Sequence, residues 1–328
     1  MIVDSSKAQL FMLQQASILL FLAVFVFFGL LSPAFLEPRN LVNILVQSSS
    51  AAIVAIGMTF VLLTGGIDLS VGSIMLVSAA VAGKMVLAGM PLAFAIAAIV
   101  GIGLLYGMLN AFCVTRLRII PFVVTLATLY LGRGMGLWIT QTRAMNLPDS
   151  LLQLGTARIM GLPFPIVAFL SVLICAHAIL RRTAFGIQIY ALGNSREAAE
   201  KAGIPTQRTT AWVYIICGLC AALGGLVSVA QLGAVSPTFG NQREFAAVAA
   251  AVLGGTSLFG GRGGVFPGTV MGAILIQTVE NGLVIVNADP YLYPIVMSLI
   301  IFLAVLVDSI RHSRILKLSR RFIRIRKS

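Results

Sequence analysis

Two acids sit where a chain this apolar has least use for them. Asp68 falls within Gly65-Gly66-Ile67-Asp68-Leu69-Ser70-Val71-Gly72-Ser73, and Glu280 precedes Asn281 in an otherwise hydrophobic run. An ionisable group at membrane depth is costly and is a functional-site candidate by default. Asp68 admits two readings. Ser70, Gly72 and Ser73 offer hydroxyl and backbone N–H groups that would satisfy it locally, as a cap at the start of a helix, or its charge serves a translocation pathway. Glu280 likewise either faces a pathway or bonds across helices. Gln47, Ser48, Ser49, Ser50, Thr59, Asn110, Thr125, Thr128, Gln277 and Asn281 add neutral hydrogen-bonding groups on apolar stretches. Such a lining suits a neutral polyol better than an ion. The candidate pathway set is therefore Gln47, Asp68, Ser70, Asn110, Thr125, Gln277, Glu280 and Asn281.

Other chemistry finds no support. There is no G-x-x-x-x-G-K-[ST] loop, so no ATP hydrolysis is expected of this chain. There is no H-E-x-x-H, and the two histidines, His177 and His312, are too few for a histidine-ligated metal centre. A G-x-S-x-G elbow is also missing. Cys217 and Cys220 form a C-x-x-C, but on an apolar stretch without a nearby histidine, where small packing residues are the better reading. The expectation is a transport subunit, not an enzyme, with no cofactor or metal of its own.

The elements that position these groups are membrane spans. Of 328 residues 59% are hydrophobic and 10% charged, with mean hydropathy +1.01, whereas a soluble domain carries roughly a quarter charged residues. At about 20 apolar residues per crossing, ten spans are predicted: about 11–32, 41–64, 71–88, 92–115, 121–141, 163–180, 209–231, 245–260, 265–286 and 291–308. The second is interrupted by Gln47-Ser48-Ser49-Ser50, and the eighth is short and Gly-rich at its end. Lys7 is the lone basic residue before the first span and no A-x-A site follows it, so the span reads as retained and not cleaved.

Charge then orients the chain. With the N-terminus inside, most of the 23 Lys and Arg residues fall in inner loops and the tail, while Arg39, Lys84, Arg143, Arg158 and Arg243 fall outside. Ten spans return the C-terminus to the cytoplasm. The fold expected is an all-α integral membrane protein. Residues 1–310 form one transmembrane domain, and a basic cytoplasmic tail, 311–328, either lies on the anionic inner leaflet or is solvated. The external segment 142–162, with Pro148, Gly155 and Gly161, is long enough for a small structured cap. Gly65–Ser73 and Gly254-Gly255-Thr256-Ser257-Leu258-Phe259-Gly260-Gly261 both follow an even-numbered span and hint at a repeat. Irregular backbone at that depth must be buried in protein or face a wet cavity.

The loop 181–208 is the longest stretch without a span-length block. It contains a short helix with written ends. Asn194 is placed to cap it and Glu197 to close the capping box. Arg196–Glu200 and Glu197–Lys201 are i,i+4 pairs, and Gly203 with Pro205 stops it. Ala198, Ala199 and Ala202 would give it a compact face. A helix so short is marginal alone, so it is either a turn in a solvated loop or a coupling helix through which a membrane subunit feels a cytoplasmic motor.

The chain resembles the permease subunits of ATP-binding-cassette importers for monosaccharides, of the ribose, arabinose, xylose and galactose type. The resemblance rests on AIGMTFVLLTGGIDLSVGSIM (55–75), PFVVTLATLYLGRG (121–134), TAFGIQIYALGNSREAAEKAGI (183–204) and EFAAVAAAVLGGTSLFGGRG (244–263), then VENGL (279–283) and LAVLVD (303–308). It implies a bacterial inner-membrane protein and a second permease subunit, the same or a sister chain. It further implies two cytoplasmic ATPase subunits carrying ATP and Mg²⁺, and a periplasmic sugar-binding protein. Membrane lipids surround such a protein, and no nucleic acid is involved. It also implies that Asn194, Glu197, Ala198, Lys201 and Gly203 dock the ATPase. The alternatives are a permease for branched-chain amino acids or a sugar-like signal such as autoinducer-2, or an ion-coupled secondary transporter.

Overall fold

The structure is a computed structural model describing residues 16–325. The start of the first predicted span and Lys7 lie outside the described residues. Thirteen α-helices run in order: α1 Ala16–Leu31, α2 Pro38–Leu63, α3 Val71–Leu87, α4 Leu92–Thr115, α5 Pro121–Thr140, α6 Asp149–Thr156, α7 Phe164–Arg182, α8 Ala184–Asn194, α9 Arg196–Lys201, α10 Thr206–Leu232, α11 Arg243–Leu253, α12 Val270–Ile285 and α13 Leu292–Ile325. Seven helical stretches are long and apolar enough to cross a membrane, and Ile18–Leu31 and Val71–Leu87 are shorter apolar helices. This is the architecture of an integral membrane protein.

The eighth predicted span departs from expectation. Of 245–260 only the residues up to Leu253 are helical, in the eleven-residue α11. At 1.5 Å per residue such a helix is about 16 Å long, roughly half the hydrocarbon thickness of a bilayer. Glycines 254, 255, 260 and 261 break it, and three of them take positive φ: Gly255, Gly260 and Gly261. The third predicted span has the opposite build. Its irregular stretch, Thr64–Ser70, comes first and the helix α3 follows. The two Gly-rich stretches thus belong to a pair of discontinuous segments, one leading into a helix and one trailing from it.

Helices α2, α3, α10, α11 and α12 form the interior, with Ile53, Phe60, Leu62, Ile74, Leu76, Tyr214 and Ala251 fully buried. Around them α1, α4, α5, α7 and α13 turn large apolar side chains outward, among them Leu30, Phe94, Leu105, Trp138, Ile174 and Phe302. Without water to drive apolar helices together, close backbone approach does the work. Gly103 and Gly107 on α4 face Gly218 on α10, where a Cβ on Gly103 would come within 2.7 Å of the Gly218 carbonyl. Gly57 on α2 is crowded in the same way by Cys220 and Cys217, at 2.6 and 3.1 Å. The C-x-x-C pair is therefore helix packing.

The segment 142–162 forms the expected cap, with a little strand. β1 (Met145–Asn146) pairs antiparallel with β4 (Ala234–Val235), and β2 (Arg158–Ile159) with β3 (Leu162–Pro163). Leu147 N–H donates to Gly233 O at 2.9 Å, and Met145, Leu147 and Leu151 are buried beneath it. At the other end, α13 continues through residue 325 instead of stopping before the basic tail. The tail's side chains, on which the choice between a leaflet-bound and a solvated face depends, lie outside the described residues.

Candidate functional site: a short helix seated on two glycine-rich turns

The loop 181–208 is two helices, not one. Thr183 caps α8 by accepting the Gly186 N–H at 3.3 Å. The second helix, α9, is the predicted one, shifted by a residue at its start. Ser195, not Asn194, is its N-cap, accepting the Ala198 N–H at 3.2 Å. Asn194 instead ends α8, with its Nδ2 donating to Tyr190 O at 2.9 Å. The capping box with Glu197 therefore does not form. Glu197 pairs with Lys201 at 2.6 Å and Arg196 with Glu200 at 3.2 Å, both as expected. The C-terminus closes by two reversed bonds, Gly203 N–H to Glu200 O and Ile204 N–H to Ala199 O, each 3.0 Å, with Gly203 at φ +77°. That is the Schellman arrangement.

Of the three alanines, Ala198 and Ala202 are exposed but Ala199 is buried. The exposed face therefore consists of Glu197, Ala198, Lys201 and Ala202, and Ala199 fixes the helix to the body of the protein. Glu200 strengthens that attachment, accepting the Thr206 hydroxyl at 2.9 Å. That hydrogen bond, and then the one from Arg196, hold its carboxyl below the usual glutamate range.

Beneath α8 and α9 the two Gly-rich turns meet. Gly261 N–H donates to Leu63 O at 2.9 Å, joining the second turn to the end of α2. Gly193 lies against both groups; a Cβ there would overlap the Leu63 carbonyl and stand 2.4 Å or less from its neighbours, so only glycine fits. A Cβ on Gly260 would stand 2.8 Å from Gly193 O and 3.1 Å from Gly65 N. From the other side Tyr190 Oη donates to Gly263 O at 2.9 Å. α8 thus packs against the end of α2 just before the first break and against the second Gly-rich turn.

Each turn is closed by a buried aspartate and a serine. In the first, Asp68 Oδ1 accepts the Ser70 N–H at 2.9 Å and the Ser70 hydroxyl at 2.6 Å. The bonds continue outward: Asn110 Nδ2 donates to Ser70 Oγ at 2.9 Å and Thr128 Oγ1 to Asn110 Oδ1 at 2.9 Å. Thr125 adds a longer bond to Ile67 O, 3.4 Å. In the second turn Ser257 stands where the first has Asp68, and the acid comes from α13. Asp308 Oδ2 accepts the Leu258 N–H at 3.0 Å and the Ser257 hydroxyl at 3.3 Å.

The remaining candidate residues fall into two further groups. Asn40 and Asn281 exchange a reciprocal pair of amide hydrogen bonds, both 2.9 Å, and Gln277 Nε2 donates to Gln47 Oε1 at 3.0 Å. These tie α12 to α2. Glu280 accepts the Tyr293 hydroxyl and lies 3.9 Å from Arg243, at the head of a 650 Å³ groove between α11 and α13. The eight residues thus do not converge on one surface. Asp68, Ser70, Asn110 and Thr125 share one network, Gln47, Gln277 and Asn281 a second, and Glu280 stands in a third.

Three participants escaped the sequence reading. Asp308 and Asn40 gave no signal beyond their polarity. The third is Arg133 of α5, whose Nη1 and Nη2 donate to Phe239 O at 2.7 Å and Gly240 O at 2.6 Å. This clamp ties the loop before α11 to α5, beside buried Glu244.

Comparison with known proteins identifies the family of the chain. Residues 40–306 match the family described as branched-chain amino acid transport system / permease component. The ribose import permease RbsC of Escherichia coli (strain K12) is 38% identical over 303 residues, 91% of this chain and 94% of that protein. RbsC of Bacillus subtilis (strain 168) is 37% identical over 283 residues, 85% and 88% of the two chains. The D-allose transport system permease AlsC of Escherichia coli (strain K12) is 37% identical over 284 residues, 86% and 87%. No solved structure matches. The chain belongs to this family of import-system permease components.

Proposed function

We propose that the chain is the transmembrane subunit of an ATP-binding-cassette importer for a monosaccharide of the ribose and allose kind. It works beside a second permease subunit, two cytoplasmic ATPase subunits that carry ATP and Mg²⁺, and a soluble binding protein that delivers the sugar. It lies in a bacterial inner membrane with both termini inside and ten crossings, the third and eighth of them discontinuous. The observation that carries this reading is the seating of α9. An exposed knob of Glu197, Ala198 and Lys201, with Gly203 as its stop, stands on α8, and Gly193 of α8 touches both Gly-rich turns.

The mechanism follows from that contact. The knob docks in a groove of the ATPase subunit, and Asn194 is the pivot between α8 and α9. Closure of the ATPase pair shifts the knob, and packing around Gly193 passes the shift to Leu63 and Gly261. Interiors packed this closely move between discrete arrangements and do not yield gradually. The breaks at Thr64–Ser70 and Gly254–Gly264 are the points at which α3 and α11 change tilt. The polar networks around Asp68 and around Gln47 and Asn281 supply hydrogen-bond partners that can be exchanged for sugar hydroxyls along the route.

The test is reconstitution of the chain in vesicles with its partner ATPase and binding protein. ATP-dependent uptake of labelled ribose or allose is the expected result. Uptake that survives removal of the ATPase and collapses with an ionophore would replace this reading with an ion-coupled transporter.

A further inference from the structure

A cleft of 1260 Å³ opens beside α9, between the end of α4, the start of α10 and the first Gly-rich turn. Arg116, Arg118 and Arg208 stand around it, and the Arg196–Glu200 pair forms one wall. Among the described residues, none of the first three makes an ion pair within 4 Å, although the Arg118 charge acts on Glu200 at the wall. The floor holds Tyr214, which is fully buried and whose hydroxyl has no hydrogen-bond partner among the described residues. Three exposed guanidinium groups around one opening call for a partner of negative charge.

The rim decides what carries that charge. Ile119 and Ile120 line the cleft on one side, and they continue into Leu117, Phe122 and Val123, all exposed. On the far side of Arg208, Trp212 is exposed too, as expected of an indole at a membrane–water boundary. A soluble protein partner would meet a polar rim; here cations and bare apolar side chains share one opening. We infer that the cleft seats an anionic phospholipid, its headgroup phosphate on Arg116, Arg118 and Arg208 and its acyl chains over Ile119 and Ile120. The lipid then bridges α4 and the wall formed by α9, so inner-leaflet charge sets how firmly the knob is held. The leaflet named rests on the inward placement of α9 proposed above.

The experiment uses the assembled permease–ATPase complex in nanodiscs of phosphatidylcholine with a minor share of phosphatidylglycerol. Lipid retained after detergent exchange is read by native mass spectrometry. The double variant Arg116→Gln/Arg118→Gln should retain phosphatidylglycerol about thirtyfold less well, given about 1 kcal/mol per basic residue near an anionic surface and tenfold per 1.4 kcal/mol. Arg208→Gln should act in the same direction by itself, and phosphatidylcholine retention should not change. Equal phosphatidylglycerol retention by wild type and both variants would overturn the inference. So would displacement of the bound species by inorganic phosphate alone, which would mark a site for soluble anions. Loss of the ATPase subunits from the variants with lipid retention intact would make the cleft a protein-docking surface instead. If α9 faces outward, thiol labelling at Ser195 reveals it, while retention by the cleft is read independently.

Discussion

Gly261 donates its backbone N–H to the carbonyl of Leu63 across 2.9 Å, and this bond is where the two Gly-rich turns become one structure. Gly193 of α8 covers the bond closely enough to exclude any Cβ. The loop 181–208 and the two helix breaks therefore meet at Gly193 and Gly261 with very little space between them.

Gly193→Val tests whether that contact transmits force. A Cβ here meets backbone at Leu63 and Gly261, so the cost lies at or above the top of the roughly 1–3 kcal/mol of ordinary overpacking, and the thermal midpoint of the complex is measured alongside its activity. The expected outcome is a complex that assembles yet shows no sugar-stimulated ATP hydrolysis. Normal stimulation in Gly193→Val would show that coupling travels by another route.

The second turn depends on Asp308. Asp308→Ala leaves the buried Leu258 N–H and Ser257 hydroxyl without their acceptor, a loss of about 1–3 kcal/mol, and the thermal midpoint in detergent should fall. Asp308→Asn keeps an acceptor oxygen and should fall less. Asp68 should behave in parallel: Asp68→Asn retains much of the transport, and Asp68→Leu loses stability or assembly. Complete loss of transport in both Asp68 variants at normal protein level would point to a role for the charge itself.

These two acids also show what the sequence could convey. The local satisfaction of Asp68 was legible because its partner, Ser70, is two residues away, but it closes the turn before α3 and does not cap that helix, whose N-cap is Ser70 without a side-chain cap bond. Asp308 serves the same end across 50 residues, and nothing local marks an acid at the end of an apolar run as the closure of a distant turn. The start of α9 was misplaced for a related reason. Asn194 is a good cap by type, but α8 runs through it to bring Gly193 onto Leu63, so Ser195 takes the cap. The eighth span was overextended because hydropathy counts apolar residues and does not see that Gly254 and Gly255 end a helix. Helix types, the cap at 142–162 and both ion pairs of α9 followed from periodicity and spacing alone.

Acidification should loosen α9. Because the Thr206 hydroxyl and then Arg196 lower the folded-state pKa of Glu200, its stabilising contribution is fully present above the unfolded-state pKa and disappears as pH falls through the folded value. Protection factors at residues 196–204, which divide out the intrinsic pH dependence of amide exchange, should fall on acidification into that window and remain constant near neutrality. Glu200→Gln should remove this dependence. Unchanged dependence in the variant would assign it to other groups.

Sidedness is open to direct measurement. Ser150 on α6 and Ser195 before α9 are both exposed. In a background lacking Cys175, which is exposed as well, a cysteine at 150 should react with an impermeant thiol reagent on intact cells and one at 195 should not. The opposite pattern would invert the topology and remove α9 from reach of any cytoplasmic ATPase.

Adjacent alanines on α9 separate docking from folding. Ala198 is exposed, whereas Ala199 is buried against the body of the protein. A knob must fit a groove, so bulk on the exposed face blocks docking and leaves the chain itself intact. Ala198→Trp should therefore abolish sugar-stimulated ATP hydrolysis in the reconstituted complex at an unchanged thermal midpoint. Ala199→Trp forces a large ring into a packed contact and should lower the midpoint first, with loss of activity following from that. Glu197→Gln should have a milder effect than Ala198→Trp, because the Glu197–Lys201 pair is exposed to water and such pairs contribute little. Full coupling in Ala198→Trp would leave α9 as a solvated connector, and the ATPase contact would then have to be sought around Arg262.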